Sequence, residues 1–318
     1  MLSRDNLSEH NPSRTNEPLG VGQDMQFEGH QGLKLSATRF GDPQAPHVLL
    51  LHGGGQTRHA WTHTATVLAK AGYCATIIDA RGHGQSQWCP QGDYSATALM
   101  GDLRGIIQSL PSSPYIVGAS MGGLTAMLLL GEEPALACRG LVLVDVAPRL
   151  EPSGVRRVID FMRRHPDGFD SLEQVQDAVA AYNPTRTKPA NPNGLRKNLR
   201  ENEDGRLHWH WDPAFLDHAA IPDADESMFG YFRLKNASSH LNLPLLLLRG
   251  YHSDVLSEAG AQELLTLVPQ AQYQVIDQAG HMIAGDRNSI FTEAVMDFLE
   301  SIDPPIQQIR STERRIKT

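Results

Sequence analysis

Hydrophobic positions along the chain fall into short unbroken runs separated by longer amphipathic stretches. The runs are His47–Leu51, Tyr73–Ile78, Tyr115–Val117, Gly140–Val146, Leu243–Leu248 and Tyr273–Ile276. Apolar runs of this length, without alternation, predict strands buried on both faces. Helices are predicted over Arg58–Ala71, Thr97–Leu110, Ser257–Val268 and Ser289–Ile302. In the second of these, Leu99, Leu103, Ile106, Ile107 and Leu110 share one side. Upstream, Gln26–Phe40 alternates with period two around His30-Gln31-Gly32, which predicts a hairpin. Strands alternating with helices imply an α/β fold, with a mostly parallel central sheet flanked by helices on both faces.

The alternation lapses between the strand ending near Val146 and the one starting at Leu243. This stretch has helical patches, prolines and scattered aromatics. It is too long for a plain loop, and is read as a helical cap inserted after the sixth strand. The organisation expected is a loose tail over 1–22, a core over 23–147 and 243–303, a cap over 148–242, and a second tail over 304–318.

The chain of 318 residues is long enough for a sizeable core. A formal charge of −8 argues against a general nucleic-acid or anionic-membrane binder. The three cysteines, Cys74, Cys89 and Cys138, are far apart, with no metal-ligand or disulfide spacing, which fits a reducing compartment. The first 22 residues lack the apolar core of a signal peptide, and no apolar run reaches the roughly 18 residues of a membrane span. A cytoplasmic location is expected. The sequence leaves monomer or homodimer open.

Gly118-Ala119-Ser120-Met121-Gly122 lies between the run Tyr115–Val117 and the helix-forming run Leu124–Leu130. A strand that turns into a helix within so few residues puts Ser120 at a strained backbone angle and lifts its hydroxyl clear of the sheet. Gly118 and Gly122 are expected to be glycine for steric reasons. A serine hydroxyl needs a base, and the base an orienting acid. His281, after the last strand, is the expected base. Asp254, after the penultimate strand, is the expected acid, and Asp145, after the strand Leu141–Val144, is its rival. Gly53-Gly54-Gly55 offers backbone N–H groups with no side chain in the way. One of them, taken as Gly54, and the N–H of Met121 form the expected oxyanion hole. Asp79 and Arg81 are read as braces of a loop beside the site. Each candidate follows a predicted strand, at the carboxyl edge where such sheets gather reactive groups.

Taken together, these segments resemble the α/β-hydrolase superfamily. The matching pieces are Leu51–Gly55, Asp79-Ala80-Arg81-Gly82-His83-Gly84-Gln85-Ser86, the turn at Ser120, Ser253-Asp254-Val255 and Gly280-His281. They span roughly 25–300, apart from the cap. The branch most similar is that of serine esterases, haloperoxidase-like enzymes and C–C bond hydrolases. The resemblance implies hydrolysis of a small-molecule carboxylic ester through an acyl-enzyme, with no cofactor or metal. Serine at the centre of the turn sets aside haloalkane dehalogenases and epoxide hydrolases, which place Asp there, and dienelactone hydrolases, which place Cys. Alternatives are a C–C bond hydrolase using the same triad, a lactonase or perhydrolase, or a ligand-binding receptor on a hydrolase scaffold. Cap aromatics Trp209, Trp211, Phe229 and Phe232 are expected to bind substrate, against the competing expectation that most cap aromatics form its core.

Overall fold

A computed structural model describes residues 21–183, 191–202, 205–218, 228–277, 279–281 and 288–303. The tails expected at 1–22 and 304–318 lie almost wholly outside the described residues. Among the described residues eight strands form one sheet, in the order β1-β2-β4-β3-β5-β6-β9-β10. These are β1 (Gln23–Glu28), β2 (Lys34–Phe40), β3 (His47–Leu51), β4 (Cys74–Ile78), β5 (Tyr115–Ala119), β6 (Gly140–Val144), β9 (Leu245–Gly250) and β10 (Gln272–Ile276). The hairpin β1–β2 is antiparallel, as is the β2–β4 pair, and every pairing from β4 onward is parallel. This is the α/β-hydrolase fold.

The unbroken apolar runs arise because both faces of the sheet are covered. Val48, Leu50, Val117, Val142, Val144, Leu246 and Leu248 face α1 (Thr62–Lys70) and α9 (Asn288–Ile302). The alternate residues Leu49, Ile116, Leu141, Leu143, Leu245 and Leu247 face α2 (Ala96–Ser109), α3 (Met121–Glu132) and α8 (Glu258–Leu267). Helix starts follow local chemistry: Ser95 accepts from the Ala98 N–H at 3.2 Å and Ser257 from the Gly260 N–H at 3.2 Å. Residues 58–71 split into a 3₁₀ turn, Arg58–Trp61, and then α1.

Between β6 and β9 lie α4 (Pro152–Arg163), α5 (Leu172–Tyr182), a small ribbon of β7 (Leu199–Glu201) and β8 (Leu207–Trp209), α6 (Phe215–His218) and α7 (Tyr231–Ser238). Among the described residues the cap is therefore helical with one short antiparallel ribbon. Among the described residues no helix is long and apolar enough to cross a membrane.

Two buried ion pairs brace the loop after β4. Asp79 accepts from the backbone N–H of Arg58 at 2.6 Å, from its guanidinium, and from Gln85 N–H at 2.9 Å. Arg81 grips Asp102 of α2 with two bonds, 2.6 and 2.7 Å, and also reaches the carbonyl of Asp93 at 2.9 Å. Removing one partner of such a pair strands the other charge. Asp102→Ala should therefore cost about 3–5 kcal/mol in denaturant unfolding, and a loss under 1 kcal/mol would show that Arg81 finds another partner.

Candidate active site

The chain leaves β5 and enters α3 with one residue between them, Ser120. Its backbone lies at φ 45° and ψ −118°, a region that costs a non-glycine residue about 1–3 kcal/mol. The turn is this tight because its flanks are bare. A Cβ on Gly118 would sit 2.6 Å from the backbone of Gly123, and one on Gly122 would sit 2.6 Å from the Leu51 Cβ. Helix α3 then begins at Met121, so its unpaired N–H groups surround the serine.

Ser120 and His281 line the same cavity, of about 480 Å³. Among the described residues Ser120 Oγ has no hydrogen-bond partner. The His281 Nδ1 donates to Asp145 Oδ2 at 2.7 Å. Asp145 is fully buried at the carboxyl end of β6, with φ 54°. Its other oxygen accepts the Gly250 N–H at 2.8 Å, and Oδ2 also accepts from the Ser253 hydroxyl. The carboxylate thus takes three donors.

Asp254, the acid expected from sequence, stands elsewhere. It makes a two-pronged ion pair with Arg157 of α4, at 2.7 and 2.9 Å, and is about 40% exposed. The reason lies in the loop after β9. Its Ser253 turns inward to Asp145 and accepts the N–H groups of Val255 and Leu256, while the next side chain points out toward the cap. Strand β6 lies between β5 and β9, and the carboxylate at its end is the one that meets His281. Asp145 and Ser253 both follow predicted strands, so the sequence shows their place at the sheet edge and not their contact.

The Gly53 N–H is bonded to Gln56 Oε1 at 3.1 Å and the Gly55 N–H to His83 Nε2 at 3.1 Å. Among the described residues the N–H groups of Gly54 and Met121 have no partner, and both residues line the cavity. Gly53 lies against the serine, since a Cβ there would be 3.2 Å from the Ser120 Cβ.

A model of the serine aminopeptidase S33 family matches residues 42–288. The chain belongs to this family of α/β-hydrolases. Within the family it falls on the esterase side. It is 29% identical over 295 residues to esterase Rv0045c of Mycobacterium tuberculosis, covering 90% of this chain and 93% of the relative. The solved structure of that esterase superposes with a TM-score of 0.71. The sn-1-specific diacylglycerol lipase ABHD11 of Mus musculus is 30% identical, covering 81% of this chain and 82% of the relative. The structure of E-2-(acetamidomethylene)succinate hydrolase shares the fold at a TM-score of 0.77 with 20% identity, over 88% of this chain and all of that one. This S33-family protein is an enzyme of the serine-hydrolase, esterase type.

Most of the cavity wall is apolar, drawn from α3 and from the cap, α4 included; Leu124, Ile159, Met162, Phe215 and Phe229 are among its residues. Of the four aromatics expected to bind substrate, Phe229 lines it. Trp209 and Trp211 do not: they stack on each other at 5.0 Å in the cap core. Phe232 is 65% exposed and also lies outside the wall. Phe229 precedes α7, while Phe232 lies within it beside Tyr231, and it is Tyr231 that lines the cavity. Met162 and Phe215 were visible as cap apolars, but nothing in their spacing marks them as wall.

Proposed function

We propose that this S33-family enzyme hydrolyses small carboxylic esters with an apolar acyl group, through an acyl-enzyme on Ser120. The observation that carries the reading is a strained serine at a helix start, sharing one cavity with an imidazole that is tied to a buried carboxylate. Ser120 Oγ attacks the ester carbonyl carbon as its proton passes to Nε2 of His281. The Asp145 carboxylate holds Nδ1–H and balances the imidazolium. The N–H groups of Gly54 and Met121 receive the oxygen as it becomes negative. His281 then protonates the departing alcohol, a water loses its proton to the same ring, and its attack on the acyl carbon frees the acid. The apolar wall suits the acyl chain. The relatives named above, an esterase and a lipase, are also enzymes of ester cleavage.

The test is a series of p-nitrophenyl esters from acetyl to dodecanoyl, run beside aminoacyl p-nitroanilides and a fluorophosphonate probe. Turnover of short to medium esters, with the probe on Ser120, is expected. Absence of both would sink the reading, and faster anilide cleavage would replace ester with amide. The pocket assignment has its own check. Leu124 begins the cavity wall one turn from the serine. Leu124→Phe should lower kcat/KM for the octanoyl ester about 10-fold relative to the acetyl ester. An unchanged ratio would move the acyl chain to another part of the cavity.

A further inference from the structure

Three buried histidines lie in a row behind the glycine loop, outside the catalytic set. Their ring centroids are 5.3 Å apart between His52 and His83, and 5.7 Å between His83 and His210. His52 and His83 belong to the core; His210 belongs to the cap. Their hydrogen bonds define which nitrogen carries the proton. His52 Nε2 accepts the Ala80 N–H at 3.0 Å, so its Nδ1–H donates to the Gly53 carbonyl at 2.8 Å. His83 Nε2 accepts the Gly55 N–H at 3.1 Å, so its Nδ1–H donates to the Arg81 carbonyl at 3.0 Å. His210 Nδ1 accepts the Gly84 N–H at 2.7 Å, leaving Nε2–H to donate to the Gly55 carbonyl at 3.3 Å. Each ring works as one donor and one acceptor, which only a neutral imidazole can do. Burial favours that form, pushing His83 down to about 3 and His210 well below its ordinary value.

These contacts fall on three successive peptide planes. His52 holds the 53–54 plane by its carbonyl, His83 the 54–55 plane by its N–H, and His210 the 55–56 plane by its carbonyl. A trans peptide is rigid, with its C=O and N–H on opposite edges. Fixing the Gly53 carbonyl therefore aims the Gly54 N–H the other way. The Gln56 N–H adds a second donor to that carbonyl at 3.1 Å. Glycines have the greatest backbone freedom, so a loop of three needs such outside support to hold a donor still.

We propose that His83 and His210 are positioning residues that hold the oxyanion loop, making a cap residue part of the catalytic scaffold. This rests on the reading of Gly54 as an oxyanion donor. The cap segment is itself firmly docked there. Trp88 donates to the His210 carbonyl at 3.3 Å, the Asp212 N–H reaches the Gly82 carbonyl at 2.8 Å, and Phe215 meets the His83 ring edge-on at 4.7 Å. On this side the cap is anchored to the core.

The experiment pairs alanine with glutamine, whose amide reaches the place of Nε2. His83→Ala and His210→Ala should lower kcat for p-nitrophenyl butyrate about 10–100-fold, with KM within about 3-fold. His83→Gln and His210→Gln should recover most of the loss. Hydrogen exchange of the peptide spanning 53–56 should speed up in the alanine variants and return toward wild type in the glutamine variants. Wild-type kcat and exchange in folded alanine variants would overturn the proposal, as would a loss confined to KM. Glutamine variants that fold but match alanine would do the same. The exchange readout needs no substrate. Faster exchange in the alanine variants of a protein that cleaves no ester would uphold the clamp and reject the ester reading alone.

Discussion

Ser120→Ala lowers ester turnover by roughly 10⁴-fold or more while leaving the unfolding midpoint close to wild type. Alanine keeps the Cβ and the backbone strain at φ 45°, and removes only an oxygen that has no partner among the described residues. The packing around the turn, set by Gly118 and Gly122, is untouched. What survives is the contribution of binding and of the two N–H donors, which do not need the hydroxyl. The measurements are kcat/KM on p-nitrophenyl butyrate and labelling by a fluorophosphonate. A variant that still turns over the ester, or still takes the label elsewhere at wild-type rate, would remove Ser120 from the reaction.

Asp145→Asn is expected to cost about 10⁴-fold in kcat, and Asp254→Asn no more than about 3-fold. The Asp145 carboxylate is fully buried and takes the His281 ring, a hydroxyl and a backbone N–H. An amide in its place offers an NH₂ to groups that are already donors, and favours the wrong imidazole tautomer. Asp254 is half-exposed and binds Arg157, so its loss loosens one contact between cap and core. Surface ion pairs of that kind contribute about 0–1 kcal/mol. Steady-state kinetics on the two variants, with unfolding curves to show that each is folded, separates the assignments. A larger loss at Asp254 would return the acid to the loop after β9.

The strands and the serine turn were readable because their causes are local. A strand covered on both faces must be apolar throughout, so β3, β5 and β6 announce themselves as unbroken runs. A one-residue passage from strand to helix leaves no room for side chains at 118 and 122, so the glycines mark it. The cap was harder. Its apolar residues serve a core and a cavity wall with the same chemistry, which is why Trp209 and Trp211 read like Phe229 in the sequence. Phe232 has the composition of a binding residue and the exposure of a surface one.

From its own pattern the sequence determined the layered sheet, the position of the insertion, and which loops end at the reactive edge. Packing alone settles which of two aspartates meets the imidazole, and that three histidines stand behind the glycine loop. Those choices join residues 136 apart in the Asp145–His281 pair and 155 apart in the Gly55–His210 pair. Hydrophobic periodicity reports which face of an element is buried, and it carries no record of which side chains meet when the elements pack.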